Sequence, residues 1–229
     1  WRDWSSDVCS SDLGVFSMRD YGLVSLSPEL FFAKAHKKLR LKPMKGTMPR
    51  MPNPVDDLRA ADFLKHDAKS IAENTMIVDL LRNDAAGISR PGTVFVPSLL
   101  DIESFDTVHQ MTSTIESQVQ ADIPFAKVMG ALFPCGSITG APKRRTIELI
   151  AEIEREPRGI YTGSIGYITP ENNMCFNVAI RTAFCRENHL GELGVGGGIV
   201  FDSQQDAEFD ELKLKARFLT ELSVLKELI

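Results

Sequence analysis

No stretch of this sequence stays apolar for anything near the 20 or so residues that a membrane-spanning helix needs, so the expectation is a soluble chain. Basic residues are not in excess either. A formal charge of -5 argues against a general nucleic-acid surface, because phosphate binding wants a basic face. Cysteine is scarce, and Cys9, Cys135, Cys175 and Cys185 show no C-x-x-C pairing, which excludes a thiolate metal site and leaves reduced, mostly buried thiols of a cytosolic protein as the expectation. Nucleotide signatures are missing as well. "GSITGAPK" has the spacing G-x-x-x-G-x-x-K, which is not that of a phosphate-binding P-loop, and the glycine-dense "GVGGGIVFD" lacks both G-x-G-x-x-G spacing and a following helix. Internal repeats, low-complexity tracts and linker-like composition are absent too. What remains is an ordinary globular composition, 43% hydrophobic and 25% charged, in 229 residues, enough for one large domain or two small ones.

The first thirteen residues stand apart. "WRDWSSDVCSSDL" has neither helical nor strand period, and it lacks the basic start and apolar core of a signal peptide. From Asp3 onward it resembles the translation of a sequencing-library adapter. The expectation is therefore an artefact over residues 1–13 joined to a truncated gene whose own product runs over 14–229. Finding the same codons in frame at the genomic locus would remove it.

From Gly14 the periods are readable. "GVFSMRDYGLVSLS" alternates around D-Y-G and predicts a hairpin; "SPELFFAKAHKKLRLKP" predicts strand, basic turn and strand. Helices are expected from about Val55 to His66 and from about Ala68 to Ala85, with Ser70 and Glu73 at capping-box spacing. "GISRPGTVFVPSLLDIESF" reads as strands broken by Pro91, Gly92 and Pro97, and "TVHQMTSTIESQVQ" as a strand useful on both faces. Short helices are expected over 124–133 and, after the loop "PCGSITGAPK", over 142–155 with Pro142 in the first turn. Three or four strands follow in "TGSIGYIT", "MCFNVAIRTAFC", "LGELGVGGG" and "IVFD", then a helix from about Ala207 to the end. Strands and helices that do not alternate strictly favour α+β.

Several side chains sit where chemistry is possible. Glu73 shares a helical stripe with Ile77, Leu80 and Leu81, where a carboxylate is costly unless a cation, a metal or the helix N-terminus compensates it. Glu208, Glu211 and Lys215 are spaced on one face, either a solvated face with salt pairs or part of an oxygen-ligand site for a hard cation such as Mg²⁺. The "GVGGG" glycines form either a tight turn or an anion nest, and Arg181 serves either an internal salt bridge or a bidentate carboxylate contact. His109 and Tyr161, taken alone, are ordinary packed or half-buried rings.

In order, "SLSPELF", "KPMKGTMPR", "AENTMIVDLLRND", "VHQMTSTI", "LFPCGSITGAPKRR", "PRGIYTGSIGYI", "FNVAIRT" and "GVGGGIVFDS" are similar to the successive motifs of the chorismate-utilising enzymes, a family that includes anthranilate synthase component I, aminodeoxychorismate synthase component I, and the isochorismate and salicylate synthases. The resemblance runs from about residue 14 to the end. It implies two facing antiparallel β-sheets with outer helices, in a domain larger than this chain. Lysine in P-x-K-G-T resembles the aminodeoxychorismate synthase branch, where anthranilate synthases carry a small residue. By that resemblance Lys45 is a nucleophile and Glu29 the general acid. His109, Thr139, Tyr161, Arg181, Gly194, Gly196, Gly197 and Lys215 contact chorismate, and Glu73, Glu208 and Glu211 hold Mg²⁺. A nucleophilic amine must be unprotonated, so a desolvated setting or a cationic neighbour is expected at Lys45. Ammonia is implied to come from a separate glutamine amidotransferase subunit. Two other readings remain open: an anthranilate synthase component I with an unusual lysine, and a non-catalytic or amidotransferase-binding fragment.

Overall fold

The periodic segments form where their patterns place them. The computed structural model describes residues 12–105, 108–186, 191–199, 201 and 203–220. In chain order its strands are β1 (Asp12–Ser17), β2 (Tyr21–Ser27), β3 (Leu30–Ala35), β4 (Lys38–Lys42), β5 (Met44–Pro49), β6 (Phe95–Ser104), β7 (Val108–Gln118), β8 (Ser164–Ile168), β9 (Met174–Val178), β10 (Thr182–Arg186) and β11 (Gly191–Leu193). The helices are α1 (Pro54–His66), α2 (Ala68–Ala86), α3 (Phe125–Leu132), the single turn α4 (Gly136–Thr139), α5 (Lys143–Ile153) and α6 (Gln205–Thr220). None of the described helices is long and apolar enough to cross a membrane.

Two compact units divide the chain. The first comprises Glu29–Arg155 and Ile165–Asn177; the second comprises residues 12–28, Glu156–Ser164 and the described residues from Val178 onward. The chain passes repeatedly between them, so the division leaves no linker composition for sequence to show.

The first unit is built on an antiparallel sheet in the order β5-β7-β4-β3-β9-β8, with β6 also paired to β7. β7 is its axis. β5 and β4 take successive halves of one side, and β6 takes the other, so Thr112 stands opposite both Met44 and Asp101. Both faces of β7 are largely buried, in line with its uniform "both faces useful" pattern. Phe31, Phe32, Leu39, Leu41, Met111 and Ile115 are almost wholly enclosed, each contributing about 1.5–3 kcal/mol through apolar burial. Phe32 and Phe125 both stack against Phe176, at centroid distances of 5.2 and 5.1 Å. α2 lies against β7 and β5, and the fully buried Asn74 fixes it there: its amide donates to Met111 O (3.4 Å), and Ser113 Oγ donates to its carbonyl (2.6 Å).

In the second unit the sheet order is β1-β2-β10-β11, all antiparallel neighbours, with α6 following in sequence. Asp12 and Leu13, expected to lie outside the fold, are the first residues of β1 and pair with Ser27 and Leu26. Residues 1–11 lie outside the described residues.

Several local expectations are corrected. The cap of α2 is Asp67, not Ser70: the Asp67 carboxylate accepts from Ser70 N (2.8 Å) and Ser70 Oγ (2.6 Å), so the serine is the capped residue. Pro97 does not break a strand, because β6 shifts register on both sides of Ser98 and so accommodates it. The loop "PCGSITG" contains α4, whose turn closes through Gly140 N to Gly136 O at 2.8 Å. "MCFNVAIRTAFC" is not one strand. It leaves the first sheet at Val178 and enters the other at Thr182, and Arg181 turns the corner with φ of 48°. Among its described residues "LGELGVGGG" is strand over Gly191–Leu193, and Ile199 and Phe201 are not strand. The rest of "IVFD", and the expected helix beyond Thr220, lie outside the described residues.

Candidate active site

Lys45 owes its position to two backbone devices. Pro43 ends β4, and its carbonyl accepts from Ser113 N (3.1 Å), pinning the bend onto β7. The register with β7 then slips between Met44 and Thr47, a bulge that re-aims the Lys45 side chain. Gly46 completes the bulge with φ of +81°, pressed so close to α1 and α2 that a β-carbon there would lie 2.5 Å from Ser70 Oγ and 2.9 Å from Leu64 Cδ1. A side chain at Gly46 meets both steric overlap and a left-handed backbone. Gly46→Ala is therefore expected to lower unfolding stability by about 1–3 kcal/mol, read from urea denaturation, and to reduce turnover by displacing Lys45.

The amine so placed donates to the main-chain carbonyl of Ser137 at 3.2 Å. Ser137 belongs to α4, and its hydroxyl donates a short hydrogen bond to Glu29 Oε1. Glu29, just before β3, is 5% exposed. Burial drives its carboxyl above the usual carboxylate range, against the opposing pull of the Ser137 hydroxyl and the Lys45 charge. Neither of the two settings expected around Lys45 is supplied among the described residues: the side chain is half-buried rather than desolvated, and an acid and a carbonyl, not a cation, stand beside it. Cys135 adjoins the group, with Sγ 3.1 Å from Ser137 Oγ, and burial with the nearby Glu29 pushes its thiol up to about 12. Such a thiol is inert as a nucleophile.

The other assigned residues of the first unit are placed differently. Thr139 is buried, and its hydroxyl donates to the Cys135 carbonyl at 3.3 Å. Glu73 is half-buried, with Lys69 4.0 Å away as a weak partner. His109 departs from its assignment. It is 2% exposed, with Nε2 2.9 Å from Asp57 Oδ1 and Nδ1 2.8 Å from Ser104 Oγ, so both ring nitrogens are already engaged by protein. Asp57 is in turn gripped by Nε and one terminal nitrogen of Arg50 and by Met51 N, which hold its carboxyl well below the usual range. The group ties α1 to β5 and β7, and His109 is a brace rather than a wall of a binding site.

In the second unit the glycines have a clear purpose. A β-carbon at Gly194 would lie 2.3 Å from the Tyr161 ring, and one at Gly196 would lie 2.2 Å from its hydroxyl oxygen. The main chain thus closes directly over Tyr161. Lys215 Nζ donates to Gly196 O (3.0 Å) and pairs with Glu211 (2.5 Å). Glu208 accepts from Ser203 Oγ (2.6 Å), and a β-carbon at Gly197 would come within 3.2 Å of its other oxygen. Arg181 is substantially enclosed, and burial lowers its guanidinium from a value high enough that the charge stays. Among the described residues its guanidinium has no hydrogen-bond or ion-pair partner. On the chorismate contact that the resemblance implies for Tyr161, Gly196→Ala is expected to push the ring aside and weaken chorismate binding by roughly tenfold, the worth of one good hydrogen bond, measured by calorimetric titration.

A family profile described as chorismate binding enzyme matches residues 3–221. The chain belongs to the chorismate-binding enzymes. It is 43% identical over 189 residues to aminodeoxychorismate synthase component 1 of Escherichia coli, covering 82% of this chain and 42% of that protein. It is 38% identical over 195 residues to anthranilate synthase component 1 of Streptomyces coelicolor, covering 85% and 38% respectively. The crystal structure of anthranilate synthase component I from Streptococcus pneumoniae superposes with a TM-score of 0.81 at 32% identity, covering 91% of this chain and 46% of that one. The chain therefore spans less than half the length of these relatives. For a chorismate-binding enzyme, the expected architecture of two antiparallel sheets with helices is the one observed.

Sequence reading missed Ser137 and Cys135, although it quoted the motif that holds them. The available signal was a serine and a cysteine two residues apart beside a glycine, in a segment too apolar for an exposed loop.

Proposed function

We propose that this chorismate-binding chain carries the catalytic machinery of an aminodeoxychorismate synthase component I, replacing the 4-hydroxyl of chorismate with an amino group. The observation that carries the reading is Lys45, held on a bulge against the Ser137 carbonyl and beside a buried Glu29 whose carboxyl is pushed upward. Hydroxide is a poor leaving group, and a carboxyl that keeps its proton is the acid the step needs. Glu29 would give that proton to the departing hydroxyl, which leaves as water while the Lys45 lone pair forms a bond to ring C2. Ammonia would then bond to C4 and the C2–N bond would break, returning Lys45 as an amine. One difficult substitution becomes two easier ones.

In the second unit, Tyr161, Arg181 and the backbone around Gly194, Gly196 and Gly197 are proposed contacts for a chorismate carboxylate, with Lys215 as a further cation. Thr139 keeps its proposed place beside the ring only through its methyl and backbone, since its hydroxyl is spent on Cys135. Glu73, Glu208 and Glu211 are proposed to hold Mg²⁺. Among the described residues no group of three or more His, Cys, Asp or Glu stands together as a metal site, so this assignment rests on the resemblance, with Glu208 steadied by the Ser203 hydroxyl. Glu211 is charge-paired with Lys215, which suits a water-mediated ligand better than a direct one. When bound, the ion would supply positive charge to anchor the ring carboxylate. The proposed ammonia source is a glutamine amidotransferase subunit.

Product identity tests the reading. Incubated with chorismate, Mg²⁺ and ammonium, the chain is expected to yield a product that keeps its enolpyruvyl group by mass spectrometry. Fluorescent anthranilate would instead support the second reading, which the similarity to anthranilate synthases favours. Conversion by neither route would leave a non-catalytic fragment.

A further inference from the structure

α5 begins against its own electrostatics. Lys143, Arg144 and Arg145 open the helix with no acidic residue in its first turn and no side-chain cap at Pro142, although a helix N-terminus disfavours positive charge. What Lys143 gains there comes from other elements. We propose that Lys143, paired with Asp84, is a positioning residue: it clasps the loop over 133–142 onto α2 and so holds the Ser137 carbonyl where it orients the Lys45 amine. The inference rests on the role proposed above for Lys45 and deepens it.

Lys143 Nζ donates both to Asp84 Oδ2 (2.5 Å) and to the Leu132 carbonyl (3.2 Å). Leu132 is the last residue of α3 and Lys143 the first of α5, so one ammonium ties the two ends of the intervening loop together and fastens both to α2. The pair is mostly enclosed, with side-chain exposures of 17% for Lys143 and 12% for Asp84, a setting in which salt screens an ion pair little. The same helix supports the middle of the loop. A β-carbon at Gly136 would lie 2.7 Å from Leu80 Cδ2 and 3.3 Å from Leu81 Cδ2, so α4 sits directly on the turn of α2 that precedes Asp84. Within the loop, Gly140 N closes onto Gly136 O (2.8 Å) and Thr139 N onto Cys135 O (3.2 Å), which ties α4 into one piece. What α4 presents is the Ser137 carbonyl, 3.2 Å from Lys45 Nζ. A carbonyl can only accept. Charged or neutral, the amine therefore turns an N–H toward Ser137, and the lone pair of the neutral amine points away from it. Glu29 meets the Ser137 hydroxyl, so a shift of α4 would disturb acid and nucleophile together.

Two variants of the full chain remove the clasp. Lys143→Met takes away the charge at similar length. Asp84→Asn combined with Lys143→Met takes away both charges, so neither is left buried alone and folding is protected. The first readout is competitive acetylation with trace acetic anhydride at fixed pH, scored lysine by lysine by peptide mass spectrometry. Lys45, released from its carbonyl, should react roughly tenfold faster, the worth of a hydrogen bond to a charged group. The exposed Lys37 and Lys65 should keep their parent rates. A pair that merely stabilised the fold would leave Lys45 in step with those two. The second readout is steady-state kinetics on chorismate: kcat should fall by about 10- to 100-fold, the scale of misplacing a reacting group, with KM little changed. Unchanged acetylation of Lys45 in a folded variant overturns the proposal, and so does an unchanged kcat where the parent is active. If Lys143→Met does not fold, the double variant decides by the same acetylation. If the parent chain turns over no chorismate, the catalytic reading fails while the acetylation still decides this one.

Discussion

Replacing Lys45 with alanine should lower ammonia-dependent consumption of chorismate by roughly 10⁴-fold, the scale of losing a nucleophile that acts in concert with an acid. The fold should survive, because the bend at Pro43 and the bulge at Gly46 are set by backbone and the Lys45 amine makes one side-chain-to-carbonyl bond. Unfolding stability of the variant is therefore expected within about 1 kcal/mol of the parent. The variant separates chemistry from binding: chorismate should still bind, detectable by calorimetry, since the contacts assigned to its carboxylates lie elsewhere in the chain. A covalent adduct on Lys45, trapped during turnover and located by peptide mass spectrometry, is the direct sign of the proposed intermediate. Full ammonia-dependent activity in the alanine variant would end the assignment.

Glu29→Gln is expected to show opposite effects on activity and stability. Loss of the acid should cost kcat about 10²- to 10⁴-fold. Stability should instead rise above mildly acid pH. Burial is the main cause of the upward shift at Glu29, so folding favours the protonated form. The stability this group contributes is fully present below the ordinary carboxylate value and is lost as pH rises through the folded-state value. Glutamine has the shape of the protonated carboxyl and no charge to bury, so it escapes that loss. Thermal melts from pH 4 to 9 should show the variant overtaking the parent as pH increases. A parent that stays the more stable across this range would show that the Lys45 charge and the Ser137 hydroxyl outweigh burial.

Much of this architecture was legible because it is local. The hairpin at residues 14–27, the two long helices and β7 announce themselves through periods of two or 3.6, and their observed bounds lie within a few residues of the expected ones. The misses share a different cause. Whether Asn177 and Thr182 lie in one strand or two depends on partners far away in sequence, β3 for β9 and β2 for β10. His109 is an ordinary histidine until Asp57 and Ser104 arrive from other elements. Asp67 outcompetes Ser70 as a cap because it precedes the helix and carries a full charge. The motif order pointed to Glu29 and Lys45 without revealing what joins them, because the joining residue acts partly through its main chain, which sequence patterns do not display.

The buried thiol has a bearing on oxidative stress. Oxidants attack the thiolate, so a sulfur held fully protonated in a closed pocket is a poor target for peroxide. Among the described cysteines Cys175 is also sheltered, while Cys185 is exposed and meets such an attack before the other two. A peroxide burst should therefore mark the second sheet's surface and leave the Cys135–Ser137 contact intact.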